Sequence, residues 1–108
     1  MKKSKLFIAC DTTDLTKVKK IIAQSQTKKI KIGYKFGLEF MNSKRGRKFV
    51  SKLRNKIIFV DLKLNDTVNT MLSAVKALKD LKINYLTVHI SSGPFLKEFL
   101  IFSLLINF

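Results

Sequence analysis

Little in this 108-residue chain supports the commonest kinds of protein site. It has one cysteine, Cys10, and one histidine, His89, so no internal disulfide framework and no His/Cys metal cluster can be built from it. Acidic residues are scarce too, seven Asp and Glu against 22 Lys and Arg. Arginine itself is sparse, limited to Arg45, Arg47 and Arg54. Readers of nucleic acid lean on arginine forks and interleaved aromatics, and neither is prominent in this sequence. The four glycines include Gly33 and Gly37, but no G-x-G-x-x-G or Walker pattern surrounds them. No apolar run reaches the roughly 20 residues that span a bilayer. The apolar stretch after Met1-Lys2-Lys3-Ser4-Lys5 is too short for a secretory signal, which predicts a cytoplasmic protein with no membrane partner.

What remains is a globular composition, 46% apolar, with a formal charge of +15. The lysines run from Lys2 to Lys97 among many Ile and Asn residues, as a solvated surface shaped by compositional drift would have them. The local exception is Lys44-Arg45-Gly46-Arg47-Lys48. It keeps open the alternative of a basic module for RNA or other anions, with no specific nucleic acid predicted.

Apolar periodicity predicts four strands alternating with three helices. Leu6–Cys10, Ile30–Tyr34, Ile57–Val60 and Tyr85–Ile90 read as strands. Leu15 to about Ser25, a stretch around Phe49–Leu53 ending near Asn55, and Val68–Leu81 read as helices, with Gly37–Lys44 irregular between them. This β-α-β-α-β-α-β order predicts right-handed crossovers and a parallel sheet. Ser91-Ser92-Gly93-Pro94 reads as a turn. Residues 95–108, with ten apolar positions in fourteen, form a separate apolar tail.

Function in parallel sheets gathers at the carboxyl ends of the strands. Those ends hold Asp11, Lys31, Asp61, Lys63, Asp66 and His89. Charged side chains within strands are costly unless paired or functional, so their recurrence on four strands is informative. The strongest segment is Asp61-Leu62-Lys63-Leu64-Asn65-Asp66-Thr67-Val68-Asn69-Thr70. Strand alternation puts Asp61 and Lys63 on one face and sends Leu62 and Leu64 toward the helices. A lysine between two carboxylates stays protonated, and as a cation it can stabilise a developing carbanion and then protonate it. His89 reads as a satisfied core histidine and Cys10 as a small buried hydrophobe.

These segments resemble the orotidine 5′-phosphate decarboxylase family over roughly residues 5 to 94, in the family's own order. Ile8-Ala9-Cys10-Asp11 is similar to the first-strand motif, Ile30-Lys31-Ile32-Gly33 to the second, Asp61–Asp66 with Asn69-Thr70 to the signature, and Thr87-Val88-His89 with Gly93 to the fourth. Thr67-Val68 replaces the usual Ile-Pro. The resemblance implies a (β/α)8 TIM barrel of which the first four β/α units are present, a partial barrel, with residues 1–94 as its N-terminal half. It implies decarboxylation of orotidine 5′-phosphate to UMP without cofactor or metal. Lys31, Asp61, Lys63 and Asp66 would form the catalytic network, with Asp11 on the ribose and Asn69 and Thr70 also binding substrate. It further implies a homodimer, since Asp66 and Thr70 reach the neighbouring subunit's site. The family's phosphate-gripping segment lies in later units, so the chain is expected to need a complementary C-terminal half, and an inactive remnant is the alternative. A sister group, the 3-keto-L-gulonate 6-phosphate decarboxylases and hexulose phosphate synthases, shares Asp-x-Lys-x-x-Asp. Its members use magnesium and carry Glu where this chain has Lys31.

Overall fold

The computed structural model describes residues 4–89; the apolar tail 95–108 and the turn at 91–94 lie outside the described residues. Four parallel strands, β1 (Lys5–Ala9), β2 (Lys31–Gly37), β3 (Ile57–Leu64) and β4 (Tyr85–Val88), lie in the order β1-β2-β3-β4. Each strand pairs with its chain neighbour, so the sheet grows in one direction, as the wall of a barrel does. A doubly wound sheet would reverse its order and carry helices on both faces. The four strands and the helices between them form part of a TIM barrel, as the sequence implies.

The helices α1 (Leu15–Gln24), α2 (Leu38–Met41), α3 (Gly46–Lys52) and α4 (Val68–Ala77) connect the strands. Asp14 starts α1, its carboxylate accepting the Thr16 and Lys17 N–H groups. Thr67 does the same for α4 through the Thr70 N–H. Beneath the helices, Tyr34, Phe36, Ile58 and Val60 from the strands pack with Val18, Phe40, Val50 and Leu78. Met71 and Val75 of α4 make a smaller cluster with Leu64, Leu86 and Val88.

The other sheet face carries Phe7, Phe59 and Tyr85, whose rings meet pairwise with centroids 5.4–6.1 Å apart. Gly33 is part of this face by necessity: a Cβ there would lie 2.5 Å from Phe7 Cε1. Ile57 and Phe59 therefore meet side chains of the sheet, whereas Ile58 and Val60 meet the helical layer.

Several boundaries differ from expectation. The second strand runs three residues beyond Tyr34, because Tyr34 and Phe36 both bury on the helical side while Lys35 and Gly37 take the opposite face. The third runs to Leu64 rather than Val60. The segment expected to be irregular includes the single helical turn α2, and the last helix yields after Ala77 to a 3-10 turn at Lys79–Leu81. The basic cluster is partly structural: Arg47 bonds the Ala77 carbonyl and the Asp80 carboxylate, each at 2.8 Å, tying α3 to the end of α4. No helix among the described residues is long and apolar enough to cross a membrane.

Candidate active site

The strands end on one edge, and there a charged cluster forms around Asp61. Its side chain is only 13% exposed, with Oδ1 accepting the Thr87 hydroxyl at 2.7 Å. Oδ2 faces two ammonium groups, Lys63 Nζ at 3.0 Å and Lys35 Nζ at 3.6 Å. The hydrogen bond from Thr87, then that from Lys63, holds the Asp61 carboxyl below the usual aspartate range, against the opposing effect of burial. Two cations around one carboxylate leave the cluster with a local excess of positive charge.

The β3–β4 pairing is irregular at this point. Val60 pairs with Leu86 and Leu64 with Val88, so residues 61–63 of β3 stand opposite Thr87 alone. Such a bulge re-aims side chains. Lys63 takes a left-handed backbone, φ 50°, and its N–H donates to Thr87 Oγ1 at 2.9 Å. An ordinary strand would hold Lys63 two residues further along the same face; the bulge folds its ammonium back onto Asp61.

The structure does not bring Lys31, expected in the network, into this cluster. It opens β2, paired with Lys5 at the amino end of the sheet, in a recess lined also by Asn55 and Lys56. Lys31 and Lys35 share a face, but four residues separate them, roughly 13 Å along a strand. The strand-two lysine beside Asp61 is Lys35. A strand ending at Tyr34 would put Lys31 nearer its carboxyl end than the observed β2, which runs on to Gly37. The signal for Lys35 lies in the unbroken alternation of Ile32, Tyr34, Phe36 against Gly33, Lys35, Gly37.

The remaining expected residues lie on the same edge with different roles. Asp11 is exposed just beyond β1, in a shallow recess with Thr12, Gly37 and Glu39, and Cys10 before it donates its N–H to the Lys35 carbonyl at 2.9 Å. Asp66 does not meet Lys63: its Oδ1 accepts the Thr67 N–H at 2.7 Å. The described cluster is therefore a carboxylate between two lysines, not a lysine between two carboxylates. Asn69 and Thr70 lie exposed in the first turn of α4, where the Thr67 hydroxyl lies 3.1 Å from that of Thr70. Cys10 is fully buried, and burial, aided by Asp11, pushes its thiol up to about 11. His89 is exposed rather than in the core, its N–H donating to the Leu64 carbonyl at 2.8 Å. Among the described residues no three His, Cys, Asp or Glu side chains gather as a metal-ligand group.

Comparison with known proteins bears on the family of the chain. The Orotidine 5′-phosphate decarboxylase / HUMPS family matches residues 4–99. The chain is 40% identical over 96 residues to the orotidine 5′-phosphate decarboxylase of Wolbachia sp. subsp. Brugia malayi, covering 86% of this chain and 41% of that one. It is 40% identical over 97 residues to the protein of that name from Wolbachia pipientis subsp. Culex pipiens, with the same two shares covered. The protein of that name from Paramagnetospirillum magneticum is 36% identical over 91 residues, 82% of this chain and 37% of that one. The chain thus spans about two fifths of the length of these curated relatives.

Proposed function

Because the chain belongs to the orotidine 5′-phosphate decarboxylase / HUMPS family, we propose that it supplies the carboxylate-facing part of a site that converts orotidine 5′-phosphate to UMP and CO2. The observation that carries this reading is the Lys35–Asp61–Lys63 cluster at the carboxyl ends of parallel strands. In the proposed reaction the bond from C6 to its carboxylate breaks, CO2 leaves, and the electron pair stays on C6. Lys63, ion-paired with Asp61, stabilises that carbanion as a fixed cation and then delivers its proton to C6. Lys35 holds Asp61 from the other side, so the carboxylate stays anionic while Lys63 changes charge. No metal or cofactor takes part in this scheme.

Asp11 would meet the ribose, and Asp66, Asn69 and Thr70 would contribute to substrate binding, with Asp66 and Thr70 reaching the site of a second subunit in a homodimer. Phosphate binding would come from the four β/α units that complete the barrel, whether on the same polypeptide or on a complementary one. Such remote contacts are used in the transition state, so activity would depend on them. The reaction would take place in the cytoplasm, with no nucleic-acid or membrane partner. The magnesium-dependent sister chemistry is less well supported, because the strand-two residue beside Asp61 is a lysine and not a carboxylate able to share a metal with it.

The test is growth without uracil. A strain lacking its own decarboxylase receives this chain together with the part of the Brugia malayi Wolbachia relative beyond the matched segment. Growth is expected, and its loss on Lys63→Ala; no growth with both polypeptides present and folded overturns the reading.

A further inference from the structure

A threonine hydroxyl has one proton to give and two lone pairs to receive with. At Thr87 two of these positions have described partners. The Lys63 N–H occupies a lone pair at 2.9 Å, and the hydroxyl proton goes to Asp61 Oδ1 at 2.7 Å. Both partners belong to the bulged segment of β3, and Thr87 is the single β4 residue opposite it. Lys63 is a non-glycine residue with φ 50°, a backbone region that costs free energy and persists when its surroundings hold it. Apart from this bond, the ladder pairing of β3 with β4 skips residues 61–63.

We propose that Thr87 is the positioning residue of this site, its hydroxyl clipping the β3 bulge so that the left-handed Lys63 and the Asp61 carboxylate are held together. The direction of the two bonds gives the clip its chemical consequence. Asp61 must accept from Thr87, so Oδ1 is reserved as an acceptor and Oδ2 is left to face Lys35 and Lys63. A protonated Oδ1 would compete with the hydroxyl for the same hydrogen position. Thr87 therefore favours the ionised carboxylate by hydrogen-bond polarity, in addition to the attraction of the lysines from β2 and β3. Its methyl group has no part in this, so serine should serve in its place and valine, the isostere without the hydroxyl, should not.

This deepens the proposed function and rests on it only for its catalytic meaning; the clip itself is testable on the 108-residue chain without turnover. The measurement is the titration of the Asp61 side-chain carboxyl by carbon-13 NMR in the wild type, Thr87→Ser and Thr87→Val. The wild type and Thr87→Ser are expected to titrate alike, and Thr87→Val to shift upward toward the ordinary aspartate range. Unchanged titration in a folded Thr87→Val chain overturns the proposal. Should Thr87→Val fail to fold, hydrogen exchange in the unmodified chain decides: the Lys63 amide is expected to be protected, and free exchange at the rate of an unfolded peptide overturns the clip. A confirmed clip in a chain that gives no turnover of orotidine 5′-phosphate even when folded together with a complementary half would sink the functional reading and leave the positioning intact.

Discussion

Lys35 Nζ on β2 lies 3.6 Å from Oδ2 of Asp61 on β3, while Thr87 on β4 donates to Oδ1 of the same carboxylate. Three consecutive strands thus converge on one aspartate, with Lys63 completing the set from β3 itself. The parallel register explains the convergence: Gly37 pairs with Asp61, so Lys35 reaches past a residue without a side chain to meet it.

Lys35→Ala should lower decarboxylation in the completed barrel by about 10²-fold or more, the usual scale for removing a preorganised electrostatic group. Lys31→Ala, at the amino end of the sheet, should leave the rate within a few-fold of wild type. Steady-state kinetics on the two variants, each with the same complementary half, checks both. An equal loss in the two would refute the placement of Lys35.

Acid should weaken the fold through Asp61. Its native pKa is depressed by Thr87 and Lys63, so the unfolded chain binds that proton more readily than the folded one. The stability it contributes is present above the ordinary aspartate value, about 3.9, and is lost as pH falls through the lower native value. Urea unfolding at a series of pH values should show a smaller acid loss for Asp61→Asn than for wild type.

Gly33→Ala should destabilise the chain by about 1–3 kcal/mol through overpacking against Phe7. Shortening the ring partner, in Gly33→Ala with Phe7→Leu, should recover part of that loss. Denaturant midpoints of the single and double variants measure the coupling.

Cys10 should resist alkylation in the folded chain. Its thiol is fully buried and pushed up to about 11, so thiolate is scarce at neutral pH. Iodoacetamide labelling followed by mass spectrometry is expected to be slow in native buffer and fast in urea. Rapid native labelling would contradict the burial.

How much of the fold and site is legible in the sequence depends on whether the signal is local. The order of strands and helices follows from Leu15, Val18 and Ile22 at helical spacing and from Ile58 and Val60 in a short apolar run. Asp61 and Lys63 stand out because a charge pair at a strand end is costly without a role. Asp66 is expected beside Lys63, yet its carboxylate turns to the adjacent Thr67 N–H just before α4, a local contact that spacing does not reveal. Lys35 escapes notice because the end of β2 is set by burial of Phe36 against Phe40, a tertiary contact, stacked at 5.1 Å. Thr87 is legible as part of a motif, but its bond to Asp61 spans 26 residues and depends on a bulge that no period-two pattern contains.

The most direct measurement of the central claim is orotidine 5′-phosphate consumption by this chain mixed with the complementary half of the Brugia malayi Wolbachia relative. It is followed by loss of substrate absorbance and appearance of UMP. The account predicts turnover in the mixture, little in either part alone, and none above background when Lys63→Ala replaces the wild-type chain. A folded mixture without turnover, or turnover indifferent to Lys63, would contradict it.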